Sequence, residues 1–130
     1  MNDRTNLRTP LSRVRHLGSA HAGTGHFWRQ RLTSVALIPL TIVFIAIVVA
    51  LLGRNHAATA QILGSAPVAI LMLLFVLTGI YHMWLGMQVI VEDYVHHELV
   101  KIVTLMANTF FCAALGIACV FAVLKLSFGV

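Results

Sequence analysis

The sequence predicts an all-α membrane protein with three transmembrane helices. Three observations carry that prediction. The first is composition: 59% of the 130 residues are hydrophobic and 10% are charged, against about 25% charged in a soluble domain. So short a chain cannot bury that much apolar surface in a core of its own. The second is spacing. No Asp, Glu, Lys or Arg lies between Arg31 and Arg54, between Arg54 and Glu92, or between Lys101 and Lys125. Each gap accommodates a helix of about 20 residues, enough to cross roughly 30 Å of hydrocarbon. The third is that no alternating barrel pattern appears. Lipid satisfies no open backbone groups, so helices are what remains.

Taken in order, residues 1–31 form a polar arm that holds Arg4, Arg8, Arg13, Arg15, Arg29 and Arg31. The net charge of +5 could suggest nucleic acid, but its clustering before the first span is the positive-inside signature. That predicts a cytoplasmic N-terminus and a periplasmic C-terminus in a bacterial inner membrane. An Arg-rich, acid-poor start also resembles an organelle transit peptide. The first span is too long for a signal-peptide core, however, and no cleavage pattern follows it.

The first span is predicted over about 32–52, with Pro39 inside it as a candidate kink. Phe27, Trp28, Arg29 and Arg31 lead into it and suit the headgroup level. Gly53-Arg54-Asn55-His56 supplies turn chemistry. The second span, about 66–91, carries Pro67 in its first turn, where the missing N–H costs nothing. A short loop up to Lys101 makes the second and third spans antiparallel neighbours. The third span runs over about 102–124. Cys112 and Cys119 share a face there but lie about 10 Å apart along the axis, too far to bridge; they are small packing residues.

The second span contains the chain's one deep histidine. His82 lies eleven residues before Asp93, roughly 16 Å or half the hydrocarbon thickness. An ionisable side chain at that depth is costly and is a functional hypothesis by default. Gly79, Gly86, Val89 and Asp93 fall within about 60° of it on the helix. The two glycines flank the ring and leave a groove that a flat group such as a porphyrin could enter. The same glycines would equally let two helices pack closely around a hydrogen-bonded histidine. Haem ligation and packing therefore both stand. A haem with two axial ligands would need its second from another subunit.

The predicted topology puts the start of the first span and the end of the second on one side of the membrane. Arg29 and Arg31 can then approach Glu92, Asp93 and Tyr94. A phenol can donate to a quinone carbonyl, a carboxylate can relay a proton, and a guanidinium can neutralise an acidic group. Such residues also decorate membrane interfaces generally.

These pieces resemble a known family. The run His82-Met-Trp84-Leu-Gly86-Met87-Gln-Val-Ile-Val-Glu-Asp93-Tyr94-Val95 is similar to the second-span motif of the hydrophobic membrane anchor subunits of succinate dehydrogenase. The entry to the first span, Gly25-His-Phe-Trp-Arg-Gln-Arg31-Leu-Thr33-Ser-Val-Ala-Leu37, resembles that family's Arg-x-Thr-Ala entry. The resemblance implies one part of a heteromeric transmembrane bundle. Its partners would be a cytochrome b556 subunit, an iron–sulfur subunit and a flavoprotein subunit, in a complex that oxidises succinate and reduces ubiquinone. It implies haem b shared with the cytochrome subunit, His82 as axial ligand to the iron, Arg31 in the haem-propionate and quinone region, Tyr94 on a quinone oxygen and Asp93 nearby. No catalytic residue is implied, because the chain has no flavin fingerprint and no iron–sulfur cysteine cluster. Glu92 departs from the pattern by adding a charge beside Asp93. Two other readings remain at this point: a structural membrane adaptor without haem, and a small proton-coupled transporter subunit using His82 and Asp93 as a relay.

Overall fold

The computed structural model describes Thr9, Leu11 and residues 23–129. Within residues 23–129 four helices follow in order: α1 Gly23–Leu51, α2 His56–Gly64, α3 Ala66–Tyr94 and α4 Glu98–Phe128. Three of them, α1, α3 and α4, are long and apolar enough to cross a membrane, so the predicted fold class holds. Most of the arm lies outside the described residues, including Arg4, Arg8, Arg13 and Arg15.

The first span begins nine residues before its expected start, at Gly23 instead of residue 32. Arg29 and Arg31 do not end it. Long basic side chains reach the water boundary while their backbone stays helical, and Arg31 lies over the Phe27 ring at 4.9 Å. The helix also runs on through Pro39. The turn at Gly53 takes φ 73°, a left-handed conformation open to glycine.

A short helix follows where only a loop was expected. Asn55 caps α2, its side chain accepting from the Ala58 backbone N–H at 2.9 Å. The far end of α2 comes close to α4: a Cβ on Gly64 would lie 2.5 Å from the Leu126 carbonyl oxygen. Ser65 then caps α3, with Pro67 in the first turn as expected.

The long helices form a row with α3 in the middle. α1 packs antiparallel on one side, in a register fixed by four contacts. Phe44 stacks on Phe75 at 4.6 Å between centroids, Leu37 faces Gly79, Thr33 meets His82 and Gln30 covers Gly86. α4 packs on the other side, where Trp84 meets Thr109 and Ile80 faces Gly116. Leu85, at 1% exposure, is the most enclosed large side chain, and it sits on the central helix. Most large apolar side chains of α1 and α4 face outward. That is how a bundle solvated by lipid, or completed by other helices, is built.

Candidate functional site

The site is built on α3 from its middle to its C-terminal end. His82 stands 12 residues before Tyr94, the last residue of α3, about 18 Å along the axis. Its ring points toward α1. The Thr33 hydroxyl lies 2.8 Å from His82 Nδ1. The same hydroxyl donates to the carbonyls of Arg29 and Gln30, at 2.9 and 3.0 Å. A threonine has one hydroxyl hydrogen. When that hydrogen goes to a helix carbonyl, His82 Nδ1–H donates to the oxygen and Nε2 carries the lone pair; when it goes to Nδ1, the tautomer is the reverse. The neighbour of Nε2 is the Gln30 side-chain amide nitrogen at 3.4 Å, a long contact.

The groove expected beside His82 is not open. α1 lies in it: a Cβ on Gly86 would meet Gln30 Nε2 at 3.3 Å, and one on Gly79 would meet Leu37 Cδ2 at 3.9 Å. The glycines that would admit a flat group have admitted a helix. Two polar atoms of α1 are left over: Gln30 Oε1, on the side chain beside the ring, and His26 Nε2, further toward the N-terminus, are buried without a hydrogen-bond partner. His26 and Gln30 are one turn apart on the face of α1 that carries Thr33.

The other predicted residues are not drawn into one cluster. Tyr94 is 77% exposed at the end of α3, and Asp93 is exposed beside it. Neither makes an ion pair or side-chain hydrogen bond among the described residues. Arg31 lies roughly 160° around α1 from Thr33, so it points away from His82. Glu92 contributes its backbone carbonyl, which accepts from Lys101 Nζ at 2.9 Å. His96 and His97 are exposed in the turn before α4. No group of three metal-ligating side chains occurs among the described residues.

Three polar partners are not singled out by the sequence reading. In the sequence, Gln30 and Thr33 look like entry residues of the first span; in the structure they are the partners of the histidine. Asn108 is the third. One amide in a long charge-free run is the same signal as His82, and it could have been found that way. Asn108 is buried between α3 and α4. Its amide donates to the Trp84 carbonyl at 3.1 Å and its oxygen accepts from the Cys112 thiol at 3.5 Å. Cys112 is thus a packing group, as expected.

Chemically, the chain presents an imidazole with one nitrogen on the Thr33 hydroxyl and the other beside the Gln30 amide, and an exposed carboxylate–phenol pair more than half a span away. The first set suits a metal's axial position; the second suits hydrogen bonds to a carbonyl at the membrane surface.

A profile of the family "Succinate dehydrogenase/Fumarate reductase transmembrane subunit" matches residues 5–124. The chain is 30% identical over 121 residues to the succinate dehydrogenase hydrophobic membrane anchor subunit of Paracoccus denitrificans, covering 93% of each. It is 28% identical over 119 residues to the subunit of that name in Rickettsia bellii, covering 90% of this chain and 94% of the relative. It is 30% identical over 95 residues to the succinate dehydrogenase membrane anchor subunit of Reclinomonas americana, covering 69% and 78%. No solved structure matches it.

Proposed function

The chain belongs to the succinate dehydrogenase/fumarate reductase transmembrane subunit family, as a membrane anchor of that enzyme, and from that premise we propose that it helps hold haem b and ubiquinone in a succinate:ubiquinone oxidoreductase. His82 is one axial ligand, and a cytochrome b556 subunit supplies the other. The anchor pair docks the iron–sulfur and flavoprotein subunits on the cytoplasmic side of a bacterial inner membrane. The arginine-rich arm supports that orientation, with the C-terminus periplasmic.

The observation that carries the reading is the contact of His82 Nδ1 with the Thr33 hydroxyl at 2.8 Å. Metal-bound histidines commonly donate their other ring N–H to an oxygen, and in that tautomer Nε2 carries the lone pair that a metal needs. The orphaned Gln30 Oε1, on the side chain beside Nε2, fits a pocket that is completed by something else, since buried polar atoms in lipid are costly to leave unpaired. Haem b, when bound, supplies one-electron storage within the membrane.

The residues of this chain have separate tasks. His82 offers Nε2, and the Gln30 amide yields that position. Arg31, exposed on the opposite face of α1 from Thr33, is free to neutralise haem propionates or the quinone region from the subunit boundary. Tyr94 donates its phenol hydrogen to a ubiquinone oxygen. Asp93 holds or passes a proton at that surface. The chain provides binding and proton handling, and the oxidation of succinate belongs to its partners.

One observation favours a second reading, a structural anchor without haem: both His82 nitrogens have neighbours within the chain. A single experiment separates the two. The intact complex is purified with wild-type anchor and with His82→Ala, and reduced-minus-oxidised spectra are recorded with succinate as reductant. We expect a b-type band in the wild type and its loss or severe weakening in the variant. A variant with an unchanged band rules out His82 as ligand. A wild-type complex with all partners present and no band selects the haem-free anchor.

A further inference from the structure

Resting on that reading, we propose that Thr33 is a positioning residue: its hydroxyl sets the tautomer and orientation of His82 and, through them, the reduction potential of the haem that His82 holds. The argument starts from what the hydroxyl can still do. Its hydrogen is shared between the carbonyls of Arg29 and Gln30 at 2.9 and 3.0 Å. With its hydrogen there, it faces His82 Nδ1, 2.8 Å away, with a lone pair to accept the ring N–H. A histidine that donates its far N–H to an oxygen is a more basic ligand, and a more basic ligand favours the oxidised iron.

The position matters as well as the hydroxyl. Ser34, one residue on, shows that a hydroxyl in this turn does not reach the ring by proximity alone. It also donates to the Gln30 carbonyl, at 2.9 Å, but it is exposed on another face of α1. Register completes the placement. Leu37 against Gly79 and Gln30 against Gly86 lock α1 to α3 on either side of the Thr33–His82 contact.

The test uses the assembled complex with T33V and T33S anchors. Two readouts are independent of activity: potentiometric titration of the haem band, and the electron paramagnetic resonance g-values of the oxidised haem. Valine keeps the shape and removes the acceptor. In T33V the ratio of reduced to oxidised haem at a fixed ambient potential should rise by about three- to tenfold, with altered g-values, at unchanged haem content. T33S should stay within about twofold of wild type. A T33V titration that superimposes on wild type overturns the proposal. So does a T33S shift as large as that of T33V, which would assign the effect to packing. Should the valine variant not assemble, T33A carries the same expectation and the same overturning result. Failure here is distinguishable from failure of the haem reading, because loss of the band in His82→Ala with an unmoved T33V leaves His82 as ligand and removes only the role of Thr33.

Discussion

On one side of α3, Asn108 reaches across from α4 and closes every polar bond within reach. Its amide donates to the Trp84 carbonyl, its oxygen takes the Cys112 thiol, and the Trp84 indole N–H donates to Thr109 at 3.2 Å. On the other side, α1 brings Thr33 and Gln30 against His82, and two of its polar atoms, Gln30 Oε1 and His26 Nε2, are buried and unpaired. Both seams lie between apolar helices, and both use glycine for close approach. The difference is closure. In lipid a closed polar network acts as glue between helices, and its members are finished once the helices meet. An open network is expensive in the isolated chain. The α3–α4 seam is therefore closed within this subunit, and on the proposed function the α1–α3 seam is where another molecule displaces the Gln30 side chain.

The largest expected effect comes from breaking the closed seam. Asn108→Asp replaces the amide donor with a carboxyl group at membrane depth, where an acidic residue costs about 2.5–3.5 kcal/mol on insertion scales. The complex should lose thermal stability sharply and be recovered in low yield, while any complex that does assemble keeps its b-type band. If the variant assembles normally and loses the band, Asn108 belongs to the cofactor site, and the division between the seams is wrong.

A middle-sized effect of opposite sign is expected on the open seam. Gln30→Leu removes an unsatisfied acceptor whose burial costs about 1–3 kcal/mol, and gives up one weak contact. Thermal denaturation of the complex should show stability unchanged or raised by about 1 kcal/mol. A loss comparable to that of Asn108→Asp would mean that Gln30 is fully bonded in the assembly and that this seam, too, is structural.

How much of this is legible in the sequence depends on whether the signal is local. The charge gaps locate three spans because the cost of charge in lipid acts residue by residue. Pro67 and the tight Gly53 turn are readable for the same reason. The start of α1 is not, because Arg29 and Arg31 look like a boundary in sequence, whereas basic side chains bend toward water without ending a helix. The Asn55 cap of α2 is a readable signal that Gly53 and the polar turn residues obscure. At the site, His82 announces itself as a lone ionisable group in an apolar run. Its bonds to Thr33 and Gln30 cannot be read, because they depend on how α1 and α3 slide past one another. Arg31, Asp93 and Tyr94 are expected to converge, and within this chain they stay apart. The proposed function has them meet through a bound group or a partner, not through a contact that a single chain contains.

The smallest effect tests the open seam most finely. An alanine Cβ at Gly86 would lie 3.3 Å from Gln30 Nε2, close enough that the amide must give by a few tenths of an ångström. The end of a glutamine side chain can do that, and alanine gains about 0.5–1 kcal/mol of helix preference over glycine. Gly86→Ala should therefore change complex stability by less than about 0.5 kcal/mol. Gly79→Ala is the reference, since its Cβ would meet Leu37 Cδ2 at an ordinary 3.9 Å. The informative quantity is the coupling of Gly86→Ala with Gln30→Leu in a double-mutant cycle. If the Gln30 amide is held over Gly86 beside His82, the two changes interact by about 0.5 kcal/mol, at the lower edge of what such cycles resolve for residues in contact. Strict additivity, together with a Gly86→Ala value equal to that of Gly79→Ala, would show that the Gln30 side chain has already left the ring. His82 Nε2 would then be uncovered in the assembled complex, which is the arrangement that haem ligation requires.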